Sequence, residues 1–298
     1  METKGKKNKK NKNNTLFRII EVILFIIVFI IFLFSLSKVV AITMEYKAGR
    51  DEYKALEHYI EIPVETEVPA EESDDGQNVK KETVGASTEL AAATEKVEKE
   101  LKIQYSDKFL DVAVDFKSLE NLNSDFEGWL YIPALSINYP VVYSDDNSFY
   151  LTHTFQKAEN SAGTLFIDQA VSNPFQDYNT IIHGHDMKNG AMFGKLDTFY
   201  RDTETYTEGP YFYIYTEDAS YKYLIFSYYV TDATSDTYQL PANEETYQNY
   251  KNHVAKQAVW QDVEGIPQNA PIVTLSTCYG DNYTEKRFVV HGILVDTQ

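Results

Sequence analysis

The longest hydrophobic run lies near the amino terminus of the chain. No charged residue occurs from Val22 to Ser37, and the apolar region extends from Ile19 to Ile42 when Lys38 reaches towards the membrane surface. That length matches the roughly 20 residues that a helix needs to cross a bilayer. The alternative, a cleaved signal peptide, normally has a shorter apolar region of roughly 7–15 residues. We therefore expect an uncleaved transmembrane anchor at residues 19–43.

A basic segment precedes this apolar run. The stretch "KGKKNKKNKNNTLFR" contains six lysines and Arg18. Positive charge beside a membrane span normally stays in the cytoplasm. We therefore predict a cytoplasmic tail at residues 1–18 and an extracellular location for everything after the anchor, in a cell-membrane protein that crosses the membrane once.

A polar region follows the predicted anchor. Residues 44–62 have the composition of a short helix, and so do residues 88–102. Between them the chain is rich in Glu, Pro, Ser and Thr and has almost no large apolar side chains, so it cannot bury enough surface to fold. We expect residues 44–104 to form an acidic stalk with possible helices.

The pattern changes at about residue 105. A short amphipathic helix is followed by brief apolar segments rich in β-branched and aromatic residues, each bounded by Gly, Asp, Asn or Pro. Many short strands at such spacing indicate a β-barrel or a β-sandwich. One helix is predicted at 243–259, between two strands. The pattern indicates a mostly β domain at residues 105–298.

Composition and charge narrow the classes of function. The net charge is −18 despite the basic amino terminus. Nucleic-acid binding requires a basic surface, so we predict no nucleic-acid partner. The chain contains one cysteine, which excludes an intrachain disulfide.

That cysteine, Cys278, ends the predicted strand "PIVTLSTC". Alternation along a strand places Val273, Leu275 and Thr277 on one face, and Ser276 and Cys278 on the other. A thiol at the end of a strand can face a groove and act as a nucleophile. The alternative is a buried cysteine that acts as a small hydrophobic residue.

Positive charge and a proton carrier are the other requirements of a cysteine nucleophile. Arg287 begins the next strand and would approach the sulfur if the two strands are neighbours; its guanidinium suits an oxyanion or a carbonyl oxygen. His183 and His185 share a face, so alternation does not distinguish them. The sequence "HGHD" lacks a further metal-binding histidine, and we predict no metal and no cofactor.

Together these residues resemble the sortase family, the cysteine transpeptidases of Gram-positive cell surfaces. The resemblance rests on "TLSTC", on Arg287 in the following strand and on "GHDM" upstream, and it covers residues 105–298. The helix before the cysteine strand and the amino-terminal helical segment are most similar to class B sortases. The resemblance implies a closed β-barrel of about eight strands.

The resemblance also implies a role for each residue. Cys278 would be the nucleophile, His185 the general acid and base, and Arg287 the group that holds the substrate carbonyl and the oxyanion. Thr277 and Ser276 would line the substrate groove.

The implied reaction is a transpeptidation at the cell surface. Cys278 would cleave a carboxy-terminal sorting motif of a surface protein at a threonine carbonyl, through a thioacyl-enzyme. The protein would then pass to an amine of a peptidoglycan precursor or of a pilin lysine. Class B relatives favour motifs of the Asn-Pro-x-Thr type. The alternatives are a cysteine peptidase or L,D-transpeptidase-like enzyme, and a membrane-tethered β-domain that binds a wall polymer or a partner with a structural cysteine.

Overall fold

The structure, a computed structural model, describes residues 4–62, 109–202, 209–257, 268–280 and 285–298. The chain forms two compact units, Met1–Asp51 and Glu52–Gln298.

One long helix dominates the amino-terminal part of the chain. Helix α1 spans Lys4–Leu56. Within the described residues it is the one helix long and apolar enough to cross a membrane, over the stretch Ile20–Tyr59. Charged residues are missing from its central part, which supports the predicted anchor.

A closed barrel of eight strands forms the centre of the second unit, as predicted. The strand order around the barrel is β10-β8-β7-β3-β4-β5-β6-β9. The pairs β4–β5 and β6–β9 are parallel, and all other neighbours are antiparallel. The barrel strands are β3 (Phe126–Ile132), β4 (Ile137–Tyr143), β5 (Leu165–Ile167), β6 (Asn179–His183), β7 (Tyr211–Tyr215), β8 (Ser220–Asp232), β9 (Ile272–Cys278) and β10 (Lys286–Thr297).

Short helices join or cover these strands. They are α2 (Phe116–Leu122), α3 (Thr198–Arg201) and α4 (Glu244–Lys256). Helix α4 confirms the helix predicted at 243–259, and α2 confirms the short amphipathic helix. The side chain of Asn243 accepts a hydrogen bond from the backbone of Thr246, which completes a capping box at the start of α4.

The two faces of strand β9 are both buried. Val273 and Leu275 point into the barrel core, whereas Ile272 packs outside it against Tyr247 and Tyr250 of helix α4. This arrangement explains why the strand contains apolar residues on both faces. Only its last residue, Cys278, is partly exposed.

The second compact unit includes residues that precede the predicted catalytic domain at 105–298. Its first residue is Glu52, and Leu56 is 1% exposed in the core. A two-residue strand β1 (Ile60–Glu61) pairs with β2 (Ala113–Val114) and joins this segment to the rest of the unit. The first part of the predicted stalk therefore packs with the barrel. The helix predicted at 88–102 lies outside the described residues.

Candidate active site

Cys278 and Arg287 lie opposite each other on neighbouring strands. Cys278 is the last residue of β9, and Arg287 is its partner in the antiparallel register of β10. Directly opposed residues in such a pair have Cα atoms roughly 4.5–5.5 Å apart. The expected neighbouring strands are therefore present, and the side chains of Cys278 and Arg287 leave them at directly opposed positions.

His185 reaches the same level from the other side of β9. Strands β6 and β9 are parallel, with His183 opposite Ser276, and the Gly184 N–H donates to the Ser276 carbonyl at 3.1 Å. Extending this register by two residues pairs His185 with Cys278. Alternation gives the two side chains the same face. The register, continued in this way, predicts that Cys278, His185 and Arg287 lie together at one end of three adjacent strands.

The imidazole of His185 has a defined proton position. Its Nε2 lies 2.7 Å from the carbonyl oxygen of Leu151. A carbonyl oxygen only accepts hydrogen bonds, so Nε2 carries the proton and donates. Nδ1 is therefore the ring nitrogen that is available for proton transfer with a thiol or a substrate amine.

His183, the alternative histidine, has a different environment. Its Nε2 lies 3.0 Å from Oδ2 of Asp168, and both side chains are mostly buried. The hydrogen bond from His183 lowers the pKa of Asp168 to about 2. The His183 imidazole is thus hydrogen-bonded to a carboxylate, and it lies beside Ser276, two residues before the thiol on β9. This environment distinguishes His183 from His185, which alternation alone leaves equivalent.

The two predicted groove residues lie on opposite faces of β9. The hydroxyl of Ser276 is 2.8 Å from that of Tyr238, on the same outward face as Cys278. Thr277 is 3% exposed and pairs with Phe288 of the core. Its hydroxyl has no hydrogen-bond partner among the described residues. Ser276 therefore lies in the row below the thiol, whereas the side chain of Thr277 points into the barrel.

Tyr238 belongs to this site, although sequence reasoning missed it. It ends the short 3-10 helix Asp236–Tyr238, and its ring stacks on His183 with centroids 6.2 Å apart. Burial raises the pKa of Tyr238, while Arg287 lowers it and Cys278 raises it through their charges. The Tyr238 hydroxyl is thus close enough to Arg287 and Cys278 for their charges to affect its pKa. One tyrosine among 23 in the chain, in an irregular segment, gives no signal in the sequence.

Comparison with known proteins identifies the family of this chain. The family model of the sortase domain matches residues 130–295. Sortase B of Listeria monocytogenes is 35% identical over 189 residues, which are 62% of this chain and 76% of that protein.

Solved structures give the same result. Sortase B of Clostridium perfringens superposes with a TM-score of 0.56 and 29% identity, covering 60% of this chain and 99% of that one. A complex of Staphylococcus aureus sortase B with a substrate superposes with a TM-score of 0.55 and 26% identity, covering 70% and 97%. These likenesses favour a transpeptidase over a binding domain or an L,D-transpeptidase-like enzyme. The chain belongs to the sortase family, as a cysteine transpeptidase of the cell wall that is most similar to class B sortases.

Proposed function

We propose that the chain is a membrane-anchored transpeptidase in which Cys278 is the nucleophile, His185 the general acid and base, and Arg287 the oxyanion-binding group. What supports this proposal is the strand register: Cys278 and Arg287 are paired residues of β9 and β10, and His185 follows β6 by two residues, where the β6–β9 register would meet Cys278. These three residues supply a thiol, an imidazole and a guanidinium. This combination meets the chemical needs of acyl transfer from an amide.

In the first half-reaction the Cys278 thiolate attacks the threonine carbonyl of the sorting motif. Arg287 donates hydrogen bonds to the developing oxyanion, which a planar guanidinium does well. His185, protonated on both nitrogens, gives the Nδ1 proton to the leaving amine as the C–N bond breaks. The products are a thioacyl-enzyme and the free carboxy-terminal peptide.

In the second half-reaction an amine attacks the thioester carbonyl. His185 accepts the proton of the amine, the new C–N bond forms, and the C–S bond breaks to restore the thiolate. A thioester favours attack by amines over water more than an oxygen ester does, which suits a transpeptidase.

The partners follow from this chemistry. The donor is a surface protein with a carboxy-terminal sorting motif of the Asn-Pro-x-Thr type, and the acceptor is an amine of a peptidoglycan precursor. A sortase B–substrate complex is among the solved structures similar to this chain, which supports the proposal that the chain binds a substrate. Tyr238 would line the substrate groove, and the buried hydroxyl of Ser276 would hold the Tyr238 hydroxyl in place. Thr277 lies next to Cys278 and contributes through its main chain.

The amino-terminal segment supports a location at the membrane. Helix α1 serves as the anchor, with the lysine-rich tail of residues 1–18 in the cytoplasm and the barrel outside. The donor protein and the acceptor amine both lie near the outer face of the cell membrane. Tethering the enzyme there raises its effective concentration beside both substrates.

The full chain in detergent, with an Asn-Pro-x-Thr peptide and a glycine peptide as the amine, tests this function. Cys278→Ala and His185→Ala should each lower the yield of ligated product by about 10²-fold or more. Arg287→Lys should also lose most activity, since an ammonium cannot form the same paired hydrogen bonds.

His253→Ala is the matched control, because His253 lies on helix α4 and has no role in the proposed mechanism, and it should retain activity. Full turnover by the Cys278, His185 or Arg287 variant would remove that residue from the mechanism.

A further inference from the structure

The segment 150–164 lies against one edge of the His185 imidazole. The Leu151 carbonyl accepts the proton of Nε2, and Gly163 approaches the ring at Cδ2. A β-carbon on Gly163 would come within 3.2 Å of Cδ2 and 2.5 Å of the Tyr150 carbonyl oxygen, and the residue has φ of +60°. The backbone of this segment therefore fixes where the imidazole can be.

The same segment is held from its other side by the last turn of helix α1. The hydroxyl of Tyr53 donates to the Gly163 carbonyl at 2.5 Å and lies 3.0 Å from Oγ1 of Thr164. The preceding residue of the helix, Glu52, also contacts the segment: its Oε1 accepts a hydrogen bond from the N–H of Gln156 at 3.0 Å. Two adjacent residues of α1 thus bind the segment at separate points.

Tyr53 is built into this contact rather than lying on the surface. It is 7% exposed, and its ring meets Tyr139 edge to face with centroids 5.3 Å apart. Burial raises the pKa of the phenol well above its ordinary value. The phenol therefore keeps its proton at neutral pH and can donate a hydrogen bond.

We propose that Tyr53 is a positioning residue for His185. One residue, Gly163, separates the two: its carbonyl accepts the Tyr53 hydroxyl, and its α-carbon faces the imidazole. Loss of the hydroxyl frees this carbonyl, and the segment that carries the Leu151 acceptor can then shift.

A displacement of about 1 Å of a reacting group can cost up to about 10²-fold in rate. The proposal rests on the proposed role of His185. It adds that residues of helix α1 that follow the predicted anchor at residues 19–43 help to set the geometry of the active site.

The unique cysteine provides a readout that needs no knowledge of the sorting motif. In the full chain in detergent, iodoacetamide modifies only Cys278. The pH dependence of the alkylation rate reports how His185 affects deprotonation of the thiol. Four variants are compared with the wild type: Tyr53→Phe, Glu52→Ala, His185→Ala and, as the matched control, Tyr46→Phe. Tyr46 is an exposed tyrosine of the same helix.

Tyr53→Phe should move the rate profile towards that of His185→Ala, with alkylation at neutral pH slowed by about three- to tenfold. Glu52→Ala should give a smaller change in the same direction, and it keeps the test decisive if Tyr53→Phe does not fold. Tyr46→Phe should match the wild type. The thermal midpoint, recorded for each variant, distinguishes repositioning from unfolding.

Two results would overturn the proposal, and they are distinguishable. If folded Tyr53→Phe and Glu52→Ala match the wild type while His185→Ala differs, Tyr53 does not position His185 and the proposed function stands. If His185→Ala itself matches the wild type, the role of His185 fails and the positioning role fails with it.

Discussion

His291 shows how strongly the environment of a single residue affects the molecule. It lies on β10, is fully buried, and bonds to Thr274 Oγ1 at 3.0 Å and to the Tyr229 hydroxyl at 3.2 Å. Burial lowers its pKa to about 3, with a smaller contribution from the charge of His253. The folded protein therefore holds the His291 imidazole neutral, beside Thr274 of the strand that carries Cys278.

Because of this pKa, acid should destabilise the barrel through His291. Between pH 6.5 and 3 the unfolded chain binds a proton that the folded chain does not, so stability falls as pH falls, by about 1.4 kcal/mol per pH unit. His291→Gln should be less stable at pH 7 but flatter in its dependence on pH. The thermal midpoint measured from pH 7 to 4 checks this, with the exposed His58→Gln as control. Parallel curves for His291→Gln and the wild type would contradict it.

The face of the strand on which a side chain lies could be predicted wherever alternation applies. It correctly placed Val273 and Leu275 inward and Cys278 outward, because a strand has a period of two. It could not separate His183 from His185, which share a face. That distinction depends on Asp168 and on the register of β6 against β9, both set by residues distant in the sequence.

Helix α4 shows what a single element contributes. It begins with the Asn243 capping box and presents Tyr247, Tyr250 and Val254 to the outside of β9 and β10. The Tyr250 hydroxyl also reaches Thr274 of β9 at 3.2 Å. The helix thus covers the outward face of β9 at Ile272 and Thr274, which precede Cys278 in the strand.

The cap should therefore affect stability and leave catalysis unchanged. Asn243→Ala removes the bond to the Thr246 N–H and should lower the free energy of unfolding by about 1 kcal/mol. Asn249→Ala, at an exposed position inside the same helix, should be neutral or slightly stabilising. Denaturant unfolding and peptide ligation measured on both variants check this. Equal stability of the two variants would argue against the cap.

Elements with local signals were predictable, and long-range pairings were not. Helix α4 and the barrel strands have characteristic composition and boundaries. The parallel pairs β4–β5 and β6–β9 leave no local pattern, because each joins segments far apart in the sequence. The pairing of β1 with β2 is only two residues long and was missed for the same reason.

At the scale of the whole molecule, the second compact unit includes residues that precede the predicted catalytic domain at 105–298. Residues 52–62 lie before the Glu- and Pro-rich segment in the sequence, yet they pack with the barrel. Tyr53, Leu56 and Ile60 are all buried there. Composition alone could not reveal this, because residues 44–62 mix charged with apolar side chains and the burial of the apolar ones depends on a partner surface. We propose that the catalytic unit begins at residue 52.

Truncation should show where this unit begins. A chain that starts at residue 44 keeps these three side chains, and one that starts at residue 105 loses them. Each contributes roughly 1.5–3 kcal/mol when buried, so the shorter chain should lose several kcal/mol of stability. Thermal unfolding and ligation of a soluble peptide compare the two. Equal midpoints and equal turnover would place the boundary at residue 105, as the sequence alone suggested.

Intact-mass spectrometry of the full chain mixed with an Asn-Pro-x-Thr peptide library, without an added amine, tests whether Cys278 forms the thioacyl-enzyme. We expect one adduct whose mass equals the peptide up to its threonine, attached to Cys278, released by hydroxylamine and missing in Cys278→Ala. An adduct on another residue, or unchanged peptide cleavage by Cys278→Ala, would contradict the proposed mechanism.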